Sequence, residues 1–209
     1  RDEIVFKEAI DRCAELLTPH LGIDIRSILY PVKGEEANSA SKLQETWLTQ
    51  PALFTIGYAL SKLWISWGIE PKALVGHSIG EFAAACIGGI MSLEDAVMLV
   101  ANRGKLMQAQ PKGSMLSVRM AASDVSNFLK DGCSIAAING PNSCVISGND
   151  EAINAVKIIL ESKEIVCKPL FTSHAFHSPM MDPIIEPFKK LVASVKLQTP
   201  SIPVVSTAT

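Results

Sequence analysis

The sequence predicts an α/β protein in which a larger unit is interrupted by a smaller lobe, and three observations carry that reading. Apolar residues recur at helical spacing before residue 68 and again from about residue 92 to residue 109. A short apolar run, Ala73–Gly76, leads into a glycine-flanked turn and a further helical stretch, the strand–turn–helix order of α/β units. Residues 114–172 then read β-α-β-β-α-β, the order of a ferredoxin-like fold. With 48% hydrophobic and 19% charged residues, the 209-residue chain can bury a sizeable core and does not read as disordered.

In order along the chain, Asp2 caps an opening helix that runs to about Leu17, with Ile10, Cys13 and Leu17 on one face. Residues 18–42 read as an irregular surface connection, most polar from Gly34 to Ser41. Gln50-Pro51 opens the second helix, because proline suits the first helical position; Leu53, Ile56, Leu60 and Leu63 continue it, and Gly68 stops it. After the Ala73–Gly76 strand, Ser78 sits in the turn and Glu81–Cys86 is helical. Ser92 caps the next helix, with Glu94 and Asp95 at its positive end, and Pro111 and Gly113 close it after about Ala109. In the lobe, Ser114–Met120 reads as strand, Ser123–Lys130 as helix and Ser134–Asn139 as strand. A Gly140-Pro141-Asn142 turn leads to strand Ser143–Ser147, helix Asp150–Glu161 and strand Ile165–Phe171. A helix near Met181–Val195 and a strand at Pro203–Ser206 return to the larger unit. The expected division is therefore 1–113 with 173–209 for the large subdomain and 114–172 for the small one.

Nineteen Lys and Arg against 21 Asp and Glu give a net charge of -2, which supplies no electrostatic footprint for nucleic acid or an anionic membrane. The longest uncharged apolar run, Phe82–Met91, is too short to span a bilayer and is broken by Gly88 and Gly89. Arg1-Asp2-Glu3 does not read as a signal peptide. Five scattered cysteines without C-x-x-C spacing fit reduced thiols used as small apolar residues, as in a cytoplasmic protein.

Gly76-His77-Ser78-Ile79-Gly80 follows a strand and precedes a helix, the setting of a nucleophile elbow in an α/β hydrolase-like unit. Flanking glycines let the chain turn sharply so that the Ser78 hydroxyl projects at the strand end, and the Ile79 N–H points to where an oxyanion forms. His77 packs beside the turn, and Ala83, Ala84 and Ala85 keep the helix behind it slim. The alternative is a tight turn whose serine merely caps the helix. Arg103 falls within about 60° of Val100 and Met107 around its helix, inside the apolar stripe. A guanidinium there needs an anionic partner, either Glu81 or Glu45 in a structural salt bridge or a substrate carboxylate in a bidentate pair. Where the last strand of the lobe ends, Ser173-His174-Ala175-Phe176-His177-Ser178-Pro179 offers a histidine as general base to a serine. The alternatives are two solvated loop histidines or a metal site, for which no nearby carboxylate or cysteine completes a ligand set, so no metal is expected.

On these residues the chain resembles the acyltransferase family, which includes the malonyl-CoA:acyl-carrier-protein transacylases and the acyltransferase domains of type I modular polyketide synthases. The matches are Thr49–Leu53, Gly76–Glu81, Arg103–Gln108, Asn139-Gly140-Pro141 and His174–Pro179. The resemblance implies a ping-pong acyl transfer in which Ser78 attacks an acyl-CoA, His177 is the base and an acyl carrier protein's phosphopantetheine thiol is the acceptor. It implies that Arg103 binds the free carboxylate of the acyl group and that Gln50 lines the site beside His77. The His174-Ala175-Phe176-His177 version implies malonyl as extender, with Phe176 filling the room that a 2-methyl group needs. No bound cofactor is implied, and a neighbouring synthase domain such as a ketosynthase is an expected partner, in polyketide or fatty acid biosynthesis. The resemblance also places a Gly-Gln-Gly segment before Arg1 and later strands after Thr209, so the fold is expected to be incomplete at both ends. Two other readings stand beside it. One is a serine esterase or thioesterase that draws its acid from Asp131 or Asp150, both poorly placed at the lobe's edges. The other is a non-catalytic synthase scaffold fragment.

Overall fold

A computed structural model describes residues 3–207, and the chain forms two compact units: the residues up to Leu106 together with those from Phe188 onward, and Met107–Pro187. Asp2, the expected first cap, lies outside the described residues.

In the first unit, α1 (Ile4–Leu21) runs a turn past its expected end and stops where Gly22 turns left-handed at φ 75°, its N–H donating to the Thr18 carbonyl at 2.9 Å. The connection expected to be irregular contains two short helices, α2 (Arg26–Leu29) and α3 (Glu36–Lys42). Asp24 starts the first by accepting the Arg26 N–H at 2.9 Å, and α3 carries Glu36 at its positive end and Lys42 at its negative end. The long helix α4 (Thr46–Ser66) begins four residues before Gln50, so Pro51 lies within it rather than at its start. Close to the N-terminus Pro51 removes a single backbone bond, which the packed helix tolerates.

Strand β1 (Leu74–Val75), helix α5 (Gly80–Ile87) and helix α6 (Leu93–Gln108) follow. Ser92 caps α6 as expected, its hydroxyl oxygen accepting the Asp95 N–H at 3.0 Å. Leu17, Leu48, Phe54, Val97 and Val100 form the buried centre of this unit, and Ile79, Phe82, Ala83 and Cys86 of the α5 region pack against it. All five cysteines are free thiols, and burial pushes Cys13 up to about 12 and Cys86 up to about 11.

The second unit is built on a four-stranded antiparallel sheet made of β2 (Ser114–Val118), β3 (Cys133–Gly140), β4 (Ser143–Gly148) and β5 (Cys167–Pro169). Between β2 and β3 the expected helix is a single turn, α7 (Ala122–Val125), continued by a 3-10 turn. Helix α8 (Asp150–Ser162) joins β4 to β5. The strand order β3-β4-β2-β5 is that of the expected ferredoxin-like lobe, with two β-α-β units interlocked. Asn149 caps α8 by accepting the Ala152 N–H at 2.8 Å. Its Ile153, Val156 and Leu160 then close over Leu116, Val118 and Ile146 of the sheet. β5 is shorter than expected because pairing with β2 ends at Pro169 and Phe171 points fully into solvent.

After a 3-10 segment, Pro179–Ile184, helix α9 (Ile185–Ala193) is shorter than the expected Met181–Val195 helix, since Pro183 falls in the segment before it. In the first unit, β6 (Val204–Val205) pairs in parallel with β1, Leu74 opposite Val204 and Val75 opposite Val205. Among the described residues no helix is long and apolar enough to cross a membrane.

Candidate active site

The turn after β1 is built by close backbone approach. A Cβ on Gly76 would lie 2.2 Å from the Glu81 nitrogen and 2.2 Å from the Gly80 carbonyl carbon, so only glycine fits there. Successive bonds from Gly80 N–H to the His77 carbonyl (3.0 Å) and from Glu81 N–H to the Ser78 carbonyl (3.0 Å) wind the chain into α5. The left-handed residue is the serine itself, at φ 52°. For a residue with a Cβ that conformation costs about 1–2 kcal/mol and persists because the turn around it is fixed. Gly80 plays no matching part: its φ is not positive and a Cβ there would meet nothing within 4 Å. The Ile79 N–H has no acceptor among the described residues, as the first turn of a helix leaves it. His77, expected to pack beside the turn, is exposed.

Two features hold α5 in place. Ala83 of α5 packs beside Gly57 of α4, where an added Cβ would lie in ordinary contact at 3.7 Å from the Ala83 Cβ. At the other side, the Glu81 carboxylate accepts both the N–H and the hydroxyl of Thr207, each at 2.9 Å, just beyond β6.

Arg103 and Gln50 come together although 53 positions separate them, the Arg103 Nη1 donating to the Gln50 Oε1 at 2.6 Å. Gly104 makes this possible. A Cβ there would sit 3.0 Å from Trp47 Cα and 3.1 Å from the Thr46 carbonyl, so α6 rests on the start of α4 without a side chain between them. Gln50 is buried, and the Arg103 guanidinium lies 5.9 Å from the centre of the Phe82 ring. Phe82 in turn meets the edge of Phe188.

Arg103 is half-buried, and desolvation holds its pKa below the ordinary arginine value, opposed by the negative charge of Glu81. Neither expected structural partner pairs with it. Glu45 accepts the Trp47 indole N–H, and Glu81 is engaged with Thr207. Among the described residues no carboxylate forms an ion pair with Arg103.

In the second unit the two histidines differ sharply. His174 is buried and His177 is exposed, so they are not a solvated pair. His177 is left-handed at φ 57°, and Ser178 after it caps the 3-10 segment by accepting the Met180 N–H at 3.3 Å. The Phe176 ring, half-buried, stacks on His174 with centroids 6.1 Å apart. Both ring nitrogens of His174 are occupied by Ser173 and Gln110, which leaves it no lone pair for a metal. Asp150, a candidate acid of the esterase reading, accepts from the Ser114 hydroxyl at 2.6 Å instead.

Sequence reasoning missed Phe82 under the guanidinium, the Thr207 contact with Glu81 and the role of Gly104. The glycine directly after Arg103 was the available signal for close helix packing.

Residues 1–209 match the Acyl transferase domain family. The chain belongs to that family. This acyltransferase domain is 41% identical over 206 residues to the phenolphthiocerol synthesis type I polyketide synthase of Mycobacterium marinum, covering 98% of the chain and 10% of that synthase. The crystal structure of the acyltransferase domain from the second module of the salinomycin polyketide synthase matches with a TM-score of 0.88 at 41% identity, over 99% of this chain and 48% of that one. FabD from Acinetobacter baumannii matches with a TM-score of 0.83 at 30% identity, over 98% of this chain and 67% of that one. The acyltransferase domain thus spans about a tenth of the synthase and about half of the salinomycin domain's chain. Its two-subdomain α/β fold is the one these solved structures share.

Proposed function

We propose that this acyltransferase domain loads malonyl from malonyl-CoA onto the phosphopantetheine thiol of an acyl carrier protein, in polyketide or fatty acid biosynthesis. The observation that carries the reading is Arg103, a half-buried guanidinium held by Gln50 and paired with no carboxylate among the described residues. A cation kept ready in this way suits the free carboxylate of a dicarboxylic acyl group, which a bidentate pair fixes in position as well as charge.

The chemistry follows in two halves. The Ser78 oxygen attacks the thioester carbon while His177 takes its proton, and the Ile79 N–H receives the negative charge that develops on the carbonyl oxygen. Collapse breaks the carbon–sulfur bond, coenzyme A leaves with the proton from His177, and a malonyl ester remains on Ser78. The carrier thiol then attacks the ester, His177 takes the thiol proton, and the serine oxygen leaves with it. Base assistance contributes roughly 10²–10⁴-fold and an oxyanion donor roughly 10²–10³-fold. The left-handed Ser78 supports the nucleophile role, because backbone strain in a fixed turn collects at functional positions.

Malonyl selectivity is assigned to the His174–Phe176 segment, with Phe176 occupying the room of a 2-methyl group. Gln50 and His77 line the site, the work is cytoplasmic, and a neighbouring synthase domain such as a ketosynthase is an expected partner. The subdomain division at 1–113 with 173–209 and 114–172 belongs to the same proposal. Intact-mass analysis with malonyl-CoA tests the reading. A malonyl adduct is expected on the wild type and absent from Ser78→Ala, and no Ser78-dependent adduct would overturn it.

A further inference from the structure

We infer that His174 is a positioning residue for His177 rather than a residue that touches the acyl group, an assignment resting on the reading of His177 as the general base. His174 is 2% exposed, and its Nε2 lies 3.1 Å from the Gln110 carbonyl oxygen. A carbonyl only accepts, so Nε2 carries the ring proton. Nδ1 is hydrogen-bonded to the Ser173 hydroxyl at 2.7 Å. The ring is buried and bonded at both nitrogens. It has no capacity left to recognise a substrate, while its bonds join the loop to the chain end of α6.

The loop around it is fixed on both sides of His177. The His174 carbonyl accepts the Phe176 N–H at 3.0 Å, and the Gly113 N–H donates to the Ser173 carbonyl at 3.4 Å. Ala175 is fully buried against Gly113, where a Cβ would come within 2.8 Å of its own. The Ser178 hydroxyl donates to the Ala175 carbonyl at 2.7 Å and is itself buried. Buried anchors at His174, Ala175 and Ser178 therefore flank one exposed, left-handed residue, His177. A general base must hold its ring nitrogen to within a fraction of an ångström to work. The bonds of His174 supply that constraint from three residues away. Phe176, half-buried on the outer face of the His174 ring, is left as the segment's selectivity contact.

The test uses the intact polypeptide and single-turnover acylation of Ser78 by malonyl-CoA and by methylmalonyl-CoA. His174→Phe keeps a ring to stack on Phe176 and removes both hydrogen bonds. It is expected to slow acylation about 10–100-fold for both acyl-CoAs alike, as a displaced catalytic group does, with their rate ratio unchanged. The malonyl-CoA dissociation constant, measured in a Ser78→Ala background, is expected to stay at the parent value. His174→Gln, whose amide N–H can still donate to Gln110, is expected to recover most of the rate. A wild-type rate in His174→Phe, an altered rate ratio without loss of rate, or no recovery in a folded His174→Gln would each overturn the assignment. If His174→Phe fails to fold, Ser173→Ala decides, since it deletes only the Nδ1 partner. A rate loss of about tenfold is then expected, and a wild-type rate overturns the assignment. His177→Ala separates the two levels. If it acylates as fast as wild type, the general-base reading itself falls; if it is slow while His174→Phe is not, only the positioning role falls.

Discussion

Replacing Arg103 with alanine removes the cation proposed to receive the malonyl carboxylate. One guanidinium nitrogen is fixed by Gln50 at 2.6 Å, and the fork's other donors have no partner among the described residues. A malonyl carboxylate received there gains two charge-assisted hydrogen bonds, each contributing about 1.5–3 kcal/mol. Arg103 is only half-buried, so water competes and the lower end applies, about 3 kcal/mol for the pair. That corresponds to about 100-fold in kcat/KM. Acetyl-CoA carries no second carboxylate and should lose little. The assay is acyl transfer to a carrier protein with malonyl-CoA and acetyl-CoA, each alone, for wild type and Arg103→Ala. The malonyl-over-acetyl preference is expected to fall about 100-fold. An unchanged ratio, with both substrates slowed equally, would refute the reasoning and return Arg103 to a structural role.

Gly76→Ala forces a Cβ to 2.2 Å from backbone atoms of Gly80 and Glu81, so the turn must rearrange and Ser78 acylation by malonyl-CoA should be abolished; Gly80→Ala, with nothing within 4 Å, should keep most of it. Equal effects in the mass assay would contradict the assigned geometry. The Cys13 and Cys86 thiols ionise normally near 9.0, but burial raises them to about 12 and about 11 in the folded chain. The unfolded chain therefore loses these protons first. Their contribution to stability is complete below about pH 9 and is lost as pH rises through the folded values. Urea midpoints at about pH 8 and about pH 10.5 should show the fall, and Cys13→Ala should make it shallower; an unaltered slope would count against it. Phe176→Ser should raise methylmalonyl relative to malonyl transfer by about 10–200-fold, the range one methylene commands in a pocket. A constant ratio in a competition assay would place selectivity elsewhere.

The parts of the site legible in the sequence are those whose chemistry is local. Ser78 stood out because its glycines, the strand before it and the helix after it lie within a dozen residues. Arg103 stood out because a charge on an apolar stripe is anomalous wherever it occurs. Partners across the fold were not legible. Nothing in the spacing of Gln50 and Arg103 announces their contact, which depends on Gly104 letting α6 rest on α4. Nor does His-Ala-Phe-His tell which histidine is buried, because that follows from the Gln110 carbonyl far upstream. Element ends drifted for similar reasons. Pro51 reads as a helix start by propensity, yet the packed α4 extends back to Thr46.

Three non-glycine residues among those described adopt positive φ, and two of them are Ser78 and His177. Glycine at either position would relieve about 1–2 kcal/mol of strain, against about 0.5–1 kcal/mol for its greater freedom when unfolded. The proposed nucleophile and the proposed base thus stand where the backbone gains most from losing its side chain. A laboratory selection that rewards thermal stability alone would drift toward Ser78→Gly and His177→Gly. It would recover a sturdier protein that transfers nothing.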